Sequence, residues 1–325
     1  MDDVFLTGAT GFVGSHVLAA LLEAGFRVRA LVRPDSRPLP VHPACRPVQG
    51  DVRRSGELTR QMSGCRYLIH VAALYSFSPR RRRDLYETNV SGCAGLLEAA
   101  RLAGIERAVV TSSSATVGPA RGDRPATEDD WADEADAASG YHATKLWQER
   151  AALAAQLPTV ILLPTAPVGP DDWKPTPTGK MIQDFLRGRI FASLDSGLNV
   201  VAVEDVAQAH LLALHQGRPG ERYIIGGENL ALGQLWEILA RICGRSTPKW
   251  RIPYALALTL AHLDEQRCRV IDAAPVIPLE GVHMARHHMF ASCEKARAEL
   301  GYEATPVSEA LSRAVQWYRE NGAAA

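Results

Sequence analysis

Two side chains suited to proton transfer stand four positions apart in the sequence YHATK. Tyr141 and Lys145 begin a segment with a helical pattern, so this spacing places them on the same helix face. A free phenol has a pKa of about 10, which is too high for easy proton exchange at neutral pH. A neighbouring ammonium favours the phenolate and lowers that pKa. The pair therefore predicts a general acid–base group that exchanges a proton with a substrate oxygen.

A hydroxyl that could orient the substrate oxygen follows a predicted central strand. The sequence Thr111-Ser112-Ser113-Ser114 ends this strand, at the carboxyl edge where open parallel sheets bind their ligands. A YxxxK pair alone is common by chance. The serines, together with a glycine-rich turn at the start of the chain, make it a strong indication of hydride-transfer chemistry on a small-molecule substrate.

The turn that would bind a dinucleotide follows the first predicted strand. In the sequence TGATGFVG, Gly8 allows a tight turn, Gly11 lets the backbone approach a pyrophosphate, and Gly14 lets the next helix pack on the sheet. The N–H groups and the positive dipole end of that helix would face the phosphates. We expect cofactor contacts from the whole turn, namely from Gly8, Thr10, Gly11, Phe12, Val13 and Gly14.

The residue after the second predicted strand distinguishes the two nicotinamide cofactors. NAD-binding versions of this turn carry an acid about 20 positions on, which binds the ribose 2′-OH. Arg33 holds that place here, and an arginine can pair with the 2′-phosphate of NADP. We therefore expect NADP(H), with NAD(H) as the alternative in which Arg33 faces solvent or stacks on the adenine. Asp51 and Val52 are expected to contact the adenine.

Short apolar runs alternate with helical patterns through the first half of the chain, at residues 4–6, 28–32, 67–71, 107–111 and 159–163. This alternation predicts βαβ units and an α/β fold of the Rossmann type, a doubly wound parallel sheet covered by helices on both faces. A further strand is predicted at 222–225. Helical patterns at 230–243, 254–263 and 306–320 predict a smaller, mainly helical C-terminal substrate domain.

The expected domain division follows from these patterns. Residues 1–164 plus about 200–227 would form the NAD(P)-binding domain, and about 165–199 plus 228–325 would form the substrate-binding domain. Residues 164–180 contain several prolines and glycines. We expect them to form a long loop of functional importance.

The overall composition narrows the class of partner. Basic and acidic residues number 36 each, giving zero net charge, so no concentrated positive field is available for nucleic acid. Neither a signal-peptide pattern nor an apolar run of about 20 residues is present, so we expect a cytoplasmic protein without stable membrane insertion. The apolar stretch at 254–263 predicts a buried helix, with interfacial membrane contact as the alternative. Six cysteines without paired spacing predict reduced thiols and no metal site.

Motifs along the whole chain resemble those of the extended short-chain dehydrogenases/reductases, the NAD-dependent epimerase/dehydratase family. The motifs TGATGFVGSH, HVAA, the pair Asn89-Val90, TSSSATVG, YHATK and LLPTAPVGP occur in family order. Within the family, the chain is most similar to hopanoid-associated sugar epimerases, followed by dihydroflavonol-4-reductase-like enzymes. The first likeness is carried by KPTPTGKMIQDFLRGR, SGLNVVAVEDVAQAHLLAL and GERYIIGGENLALGQL.

The resemblance implies a seven-stranded Rossmann domain and a catalytic triad of Ser113, Tyr141 and Lys145. Counting back from Gly118 selects Ser113 and counting back from Val117 selects Ser114; Ser113 is preferred as the second serine of TSS. Related enzymes are often homodimers through two Rossmann helices. The further cofactor contacts that we expect are Val71, Ala72, Ala73, Thr111, Ser112, Tyr141, Lys145, Pro164 and Thr165.

Two departures from the sugar epimerases bear on the reaction. The resemblance implies an arginine that contacts the diphosphate where this chain has Leu198, and an acid where it has Arg33. Both favour a reductase or dehydrogenase that exchanges NADP(H) over a sugar epimerase or dehydratase that retains NAD. A catalytically silent dinucleotide sensor is a third hypothesis, disfavoured because Tyr141 and Lys145 are both present. Arg222 could contact a substrate phosphate or carboxylate, or be an ordinary surface charge.

Overall fold

The structure is a computed structural model that describes residues 2–76, 78–119, 124–133, 140–271 and 279–322. The strands within these ranges are β1 (Asp3–Thr7), β2 (Arg27–Val32), β3 (Cys45–Gln49), β4 (Tyr67–His70), β5 (Arg107–Thr111), β6 (Thr159–Pro164), β7 (Ala166–Val168), β8 (Ala192–Leu194), β9 (Gly197–Ala202), β10 (Arg222–Ile225), β11 (Glu228–Ala231), β12 (Trp250–Ile252) and β13 (His288–Met289).

The helices lie between these strands and towards the C-terminus. They are α1 (Phe12–Glu23), α2 (Thr59–Met62), α3 (Arg82–Leu85), α4 (Gly92–Leu102), α5 (Gly140–Leu153), α6 (Pro177–Leu186), α7 (Val203–Gln216), α8 (Leu232–Cys243), α9 (Tyr254–Ile271), α10 (Leu279–Met284), α11 (Glu294–Leu300) and α12 (Val307–Glu320). Turns of 3₁₀-helix occupy Val52–Glu57, Pro79–Arg81 and Ser114–Thr116, and a π-helical segment, Tyr86–Ser91, leads into α4.

Seven strands form one parallel sheet in the order β3-β2-β1-β4-β5-β6-β10. One apolar layer joins the sheet to α1, α7 and α11, and another joins its opposite face to α4 and α5. Both faces are therefore covered, which explains why the central strands are continuous apolar runs. The strand order reverses beside β1, so a crevice opens at the carboxyl ends of β1 and β4. These features confirm the predicted Rossmann-type fold.

A smaller lobe is built around a second sheet. In this sheet β9 pairs with β11 in the antiparallel sense and with β7 and β13 in the parallel sense. Side chains of α6, α8 and α12 pack on it in one apolar cluster. A separate two-stranded parallel ladder of β8 and β12 lies against α9 and α10. The helices of this lobe agree with the mainly helical C-terminal part expected from the sequence.

One strand of the main sheet, β3, lacks the continuous apolar run that marks the central strands. β3 is the edge strand of the sheet, and its residues Cys45–Gln49 are half-buried or exposed. An edge strand needs no continuous apolar run, and it tolerates Pro47 because one side of its backbone requires no partner. For this reason the apolar pattern of the sequence does not indicate this strand.

The connection between the two lobes also differs from the expectation. The predicted 164–180 loop is shortened to residues 169–176, because β7 precedes it and α6 begins at Pro177. Thr176 caps α6 by accepting from the Gly179 N–H, with proline at the first helical position. β9 belongs to the small sheet, whereas α7, which follows at once, packs in the Rossmann core. The expected boundary near residue 200 therefore falls within β9.

Candidate active site

The glycine turn has a backbone that side chains would obstruct. Gly8 has a φ of +82°, and a Cβ there would lie 2.6 Å from the Ala72 nitrogen. A Cβ on Gly14 would lie 2.0 Å from the Gly8 carbonyl oxygen, so glycine alone lets α1 approach β1 this closely. Gly11 is exposed and precedes α1 without any side-chain cap. An uncapped helix N-terminus beside an open glycine fits the pyrophosphate of a dinucleotide.

The other residues expected around the cofactor lie at the carboxyl edge of the main sheet. Thr10, Phe12 and Val13 are partly exposed at the start of α1, and Val71, Ala72 and Ala73 follow β4. The Ala72 N–H donates to the Thr7 hydroxyl at 3.3 Å, which ties the ends of β1 and β4 together. Pro164 ends β6, and the Thr165 hydroxyl next to it donates to the Asn199 side-chain oxygen at 2.9 Å. All these positions lie at carboxyl ends of strands, where the fold binds ligands.

A group of arginines surrounds the end of β2. The Arg33 side chain is exposed, with its Nε 3.6 Å from a carboxylate oxygen of Asp35. Arg53 donates to the Asp51 carboxylate from both its backbone and its guanidinium, and this contact holds the pKa of Asp51 below its usual value. The positive charge of Arg33 acts in the same direction. Val52 is buried. Arg53 was missed in the sequence, because no dinucleotide-binding motif includes that position.

The predicted acid–base pair lies at the start of α5. Lys145 is only 2% exposed, and its Nζ donates to the Thr111 carbonyl oxygen at 3.0 Å. Burial lowers the pKa of this lysine to about 8, against the opposing influence of Cys93 and Glu149. Tyr141, one turn earlier, remains partly exposed. The structure thus places both residues on one face of α5, beside the carboxyl end of β5.

A second tyrosine, not expected from the sequence, contacts Tyr141. The ring centroids of Tyr75 and Tyr141 are 4.6 Å apart in an edge-to-face arrangement. The buried Asn89 fixes the segment that carries Tyr75: its side chain accepts from the Leu74 N–H at 2.7 Å and donates to the Leu74 carbonyl at 2.9 Å. The same amide donates to the Thr144 hydroxyl on α5 at 3.2 Å. Asn89 therefore joins the Tyr75 segment to α5.

The three serines after β5 differ in their surroundings. Ser112 is buried and donates to the Glu149 carboxylate at 2.7 Å, so its side chain is engaged in the core. The Ser113 hydroxyl accepts from the Ala115 N–H at 3.1 Å and begins the 3₁₀ turn. Ser114 is partly exposed, as is Ser113. Ser113 stays the preferred orienting hydroxyl and Ser114 the alternative.

Two buried histidines support the strand ends behind this site. His70 shares a 2.7 Å hydrogen bond with the Thr7 hydroxyl, and burial lowers its pKa to about 3, assisted by the Lys145 charge. His210 is 2.8 Å from the Thr111 hydroxyl, and burial lowers its pKa to about 4. Both are therefore neutral at physiological pH. They fix the side chains of Thr7 and Thr111 without adding charge beside Lys145.

Arg222 is buried within the protein. The structure therefore corrects the expectation that it could contact a substrate phosphate or carboxylate. The arginine forms an ion pair with Glu149, donates to the Glu128 carbonyl at 2.6 Å, and lies 3.5 Å from the centre of the Trp131 ring. Because every face of the guanidinium has a partner within the protein, it cannot also receive a substrate anion. No local sequence pattern indicates these contacts, since the partners come from distant segments.

Neither a metal-binding cluster nor a membrane-spanning helix occurs in the described ranges. No group of three or more His, Cys, Asp or Glu side chains in them is arranged to hold a metal ion. Among the helices that can be described, none combines the length and apolarity needed to cross a bilayer.

Comparisons with known proteins agree with this geometry. Residues 4–226 match the model of the NAD dependent epimerase/dehydratase family. A Synechocystis protein provisionally named a dihydroflavonol 4-reductase is 40% identical, covering 99% of this chain and 96% of its own. Sterol demethylase protein B of Methylococcus capsulatus is 31% identical, with 98% of each chain covered.

Among solved structures, that of gox2253 superposes with a TM-score of 0.88 at 36% identity, covering 99% of both chains. The family match, the glycine turn and the Tyr141–Lys145 pair lead to the same conclusion. This chain belongs to the NAD-dependent epimerase/dehydratase family of extended short-chain dehydrogenases/reductases.

Proposed function

We propose that the chain is an NADP(H)-dependent reductase or dehydrogenase that transfers hydride to or from a carbonyl or alcohol carbon of a small molecule. The observation that carries this proposal is the position of Lys145. Its ammonium is held in a buried site by the Thr111 carbonyl, one helical turn from the partly exposed Tyr141. A charge in this position favours a phenolate, and that is the form that a proton-donating tyrosine leaves behind.

Each residue of the site has its own part in the reduction. When bound, the nicotinamide supplies the hydride. Tyr141 gives its phenolic proton to the carbonyl oxygen, which completes the alcohol, and Ser113 donates a hydrogen bond to the same oxygen. Lys145 stabilises the phenolate that remains and holds the nicotinamide ribose. In the oxidative direction, Tyr141 takes the proton back from the alcohol.

The preference for NADP(H) rests on the arginines at the end of β2. Arg33 is exposed there, and its charge reaches Asp51, which Arg53 already neutralises. A ribose 2′-phosphate would meet positive charge at this point. The 2′-OH of NAD needs a carboxylate as its acceptor, but Asp51 is already paired with Arg53 and Asp35 lies beside Arg33.

Replacement of Arg33 tests the cofactor preference. We expect Arg33→Ala to raise the Kd for NADPH by about tenfold or more, the value of a lost charge-assisted hydrogen bond, and to leave the Kd for NADH nearly unchanged. Fluorescence titration of the reduced cofactors measures both constants. Arg101→Ala, an exposed arginine of α4 paired with Glu98, is the matched control. Equal loss of affinity for both cofactors would contradict the assigned role.

The names of the relatives suggest which substrates to test. One relative is named for a flavonoid ketone reduction and another for sterol demethylation. We infer that a fused-ring apolar ketone or its alcohol is the substrate class to expect. We expect a panel of such compounds to contain a substrate. NADPH consumption measures turnover of the ketones, and NADP⁺ reduction measures turnover of the alcohols. Turnover confined to nucleotide sugars would overturn this choice.

A sugar epimerase or dehydratase that retains NAD is the second candidate, favoured by the family model. Leu198 argues against it: the leucine is buried in β9, opposite Leu230 of β11, where those enzymes are expected to offer an arginine. The two candidates differ in cofactor exchange. A retained cofactor copurifies in full, whereas a redox co-substrate must leave after every turnover.

A further inference from the structure

Large apolar side chains are exposed together at one end of the smaller lobe. On α9, Leu256, Leu260 and Leu263 are 50, 40 and 62% exposed. Phe191 and Trp250, beside that helix, are each 72% exposed. Isolated exposed leucines are normal in soluble proteins, but five large apolar groups in neighbouring elements indicate a contact surface. We refer to these five residues as the apolar end.

The three leucines form one stripe along α9. Their spacing of four and then three residues places them on the same side of the helix. The buried Ala257 and Ala261 each follow a leucine of the stripe by one position, so they lie on the adjoining side of the helix, about 100° round. With Tyr254 and Leu258 they pack against Leu194, Ile252 and the neighbouring α10. The helix is therefore anchored to the lobe through this side, and the three leucines of the stripe face outwards. Burial in the core does not explain this distribution, although the sequence pattern alone had favoured a buried helix.

The two aromatic residues extend this stripe across the adjoining ladder. Trp250 of β12 is in register with Ala192 of β8, the residue that follows Phe191. β12 ends at Ile252, and α9 begins at Tyr254. Phe191 therefore lies just before β8, and Trp250 lies on β12 shortly before α9. Because Leu194 and Ile252 of this ladder pack with α9, the two aromatic residues and the leucine stripe belong to adjoining elements at the same end of the lobe.

Charge is distributed unevenly around the apolar end. From Ala255 to Leu263, α9 carries no acidic or basic side chain other than His262. Basic residues surround the aromatic pair, and those exposed are Arg189, Arg245, Lys249 and Arg251. The acids nearby in sequence are Asp184, which pairs with Lys180 and Arg189, the exposed Asp195, Asp264, which pairs with Arg267, and the partly exposed Glu265. The border of the surface is thus mainly positive.

We propose that the apolar end is a reversible docking surface for a bilayer that contains anionic lipids. The leucines and aromatic rings would enter the boundary between headgroups and acyl chains, while the arginines and Lys249 would meet the lipid phosphates. Aromatic residues with a basic border suit this zone, because tryptophan and arginine both favour the membrane–water interface. Docking of this kind requires no membrane-spanning helix. It is independent of the proposed redox activity.

Vesicle binding tests the proposal on the intact protein. Purified protein is sedimented with sucrose-loaded vesicles of phosphatidylcholine alone, and with vesicles of phosphatidylcholine and phosphatidylglycerol in equal parts. We expect binding to the anionic vesicles and at least about tenfold weaker partitioning for Leu260→Glu/Leu263→Glu, which places two charges in the apolar zone. Lys249→Gln/Arg251→Gln should weaken binding to anionic vesicles by about fivefold per charge removed.

Leu102→Glu is the matched control. This leucine of α4 has the same 62% exposure as Leu263 but lies in the Rossmann domain, so its replacement should leave vesicle binding unchanged. Melting curves and NADPH titration establish that each variant is folded. Absence of wild-type binding to anionic vesicles would overturn the proposal. So would a concentration-dependent dimer that the Leu260→Glu/Leu263→Glu variant abolishes, because a second copy of the chain would then cover this surface.

Discussion

Lys145 carries a charge that its surroundings oppose. Burial lowers its pKa to about 8, and the Thr111 carbonyl is the partner that holds the amine in place. A lysine with this pKa is still mostly protonated at neutral pH but loses its proton under mildly alkaline conditions. The residue can therefore supply a positive charge beside Tyr141 over a limited pH range.

This range predicts the pH dependence of the reduction. We expect kcat/KM for carbonyl reduction to fall as the pH rises through about 8, because deprotonated Lys145 no longer stabilises the Tyr141 phenolate. Lys145→Arg, which stays protonated, should retain less activity but lose this alkaline decline. Initial rates with saturating NADPH across the pH range measure both. A decline at the same pH in the arginine variant would assign it to another group.

Tyr141 is expected to act in chemistry and not in cofactor binding. Tyr141→Phe should lower kcat for a carbonyl substrate by roughly 10²–10⁴-fold, the usual contribution of a general acid, while the Kd for NADPH changes little. The edge-to-face contact with Tyr75 survives this substitution, so the ring keeps its position. Unchanged turnover in the variant would contradict the assignment and would favour the dinucleotide-sensor hypothesis.

At the residue scale, the sequence identifies the groups that belong to local motifs. Tyr141, Lys145 and the three glycines belong to motifs of fixed local spacing, and the predicted strands and serines around those motifs make them recognisable. Tyr75, Asn89 and Arg53 acquire their roles through contacts with other segments, such as the hydrogen bond between Asn89 and Thr144. No local pattern encodes such contacts. The burial that changes the pKa of Lys145 is likewise a property of the packed fold.

At the element scale, two glycines in the first turns of α1 and α8 allow a direct test of whether α1 must approach β1 closely. A Cβ at Gly14 would collide with the Gly8 carbonyl, whereas a Cβ at Gly233 on α8 meets nothing within 4 Å. We expect Gly233→Ala to stabilise the protein by up to about 1 kcal/mol, because alanine favours a helix. Gly14→Ala should lower both the stability and the NADPH affinity, by moving α1 away from β1.

Thermal melting and NADPH titration measure these two effects. A Gly14→Ala variant with unchanged cofactor affinity would show that the close approach of α1 to β1 is unnecessary for dinucleotide binding. The Gly233→Ala variant controls for the general effect of a methyl group on a helix.

The elements themselves were predictable to the extent that burial sets their pattern. The central strands and α12 were expected close to their observed bounds because one or both of their faces are apolar. β3 was missed because it is an exposed edge strand. The loop after β6 was predicted too long because Pro177 indicated irregular structure, whereas it occupies the first position of α6. Proline is compatible with both.

At the scale of the whole molecule, a buried polar network joins distant segments. Glu149 of α5 accepts from Ser112 after β5 and pairs with Arg222 of β10. Arg222 also contacts Glu128 and Trp131, in the segment that follows the serines. The network therefore ties α5, which carries the proposed acid–base pair, to the edge of the sheet, and its loss should affect both stability and activity.

Arg222→Met tests this network. We expect it to lower the free energy of unfolding by about 3–5 kcal/mol, because Glu149 would remain buried without its charge partner. The double variant Arg222→Met/Glu149→Met should lose less than the sum of the two single variants, since it leaves no unpaired charge. Denaturant unfolding of the four proteins gives the coupling. Additive losses would show that the ion pair does not act as a unit.

The most direct test of the proposed function is the mass of the nucleotide that the protein carries. The nucleotide that copurifies with the protein is first released by denaturation and weighed by mass spectrometry. A second sample is equilibrated with equal concentrations of NADP(H) and NAD(H), freed of unbound nucleotide by rapid spin gel filtration, and denatured so that the bound nucleotide can be weighed in the same way. An enzyme that exchanges NADP(H) should copurify with less than one equivalent of nucleotide. After equilibration, the nucleotide bound to it should have mainly the mass of NADP(H). A full equivalent of NAD that copurifies and does not exchange would contradict the account and support an epimerase or dehydratase.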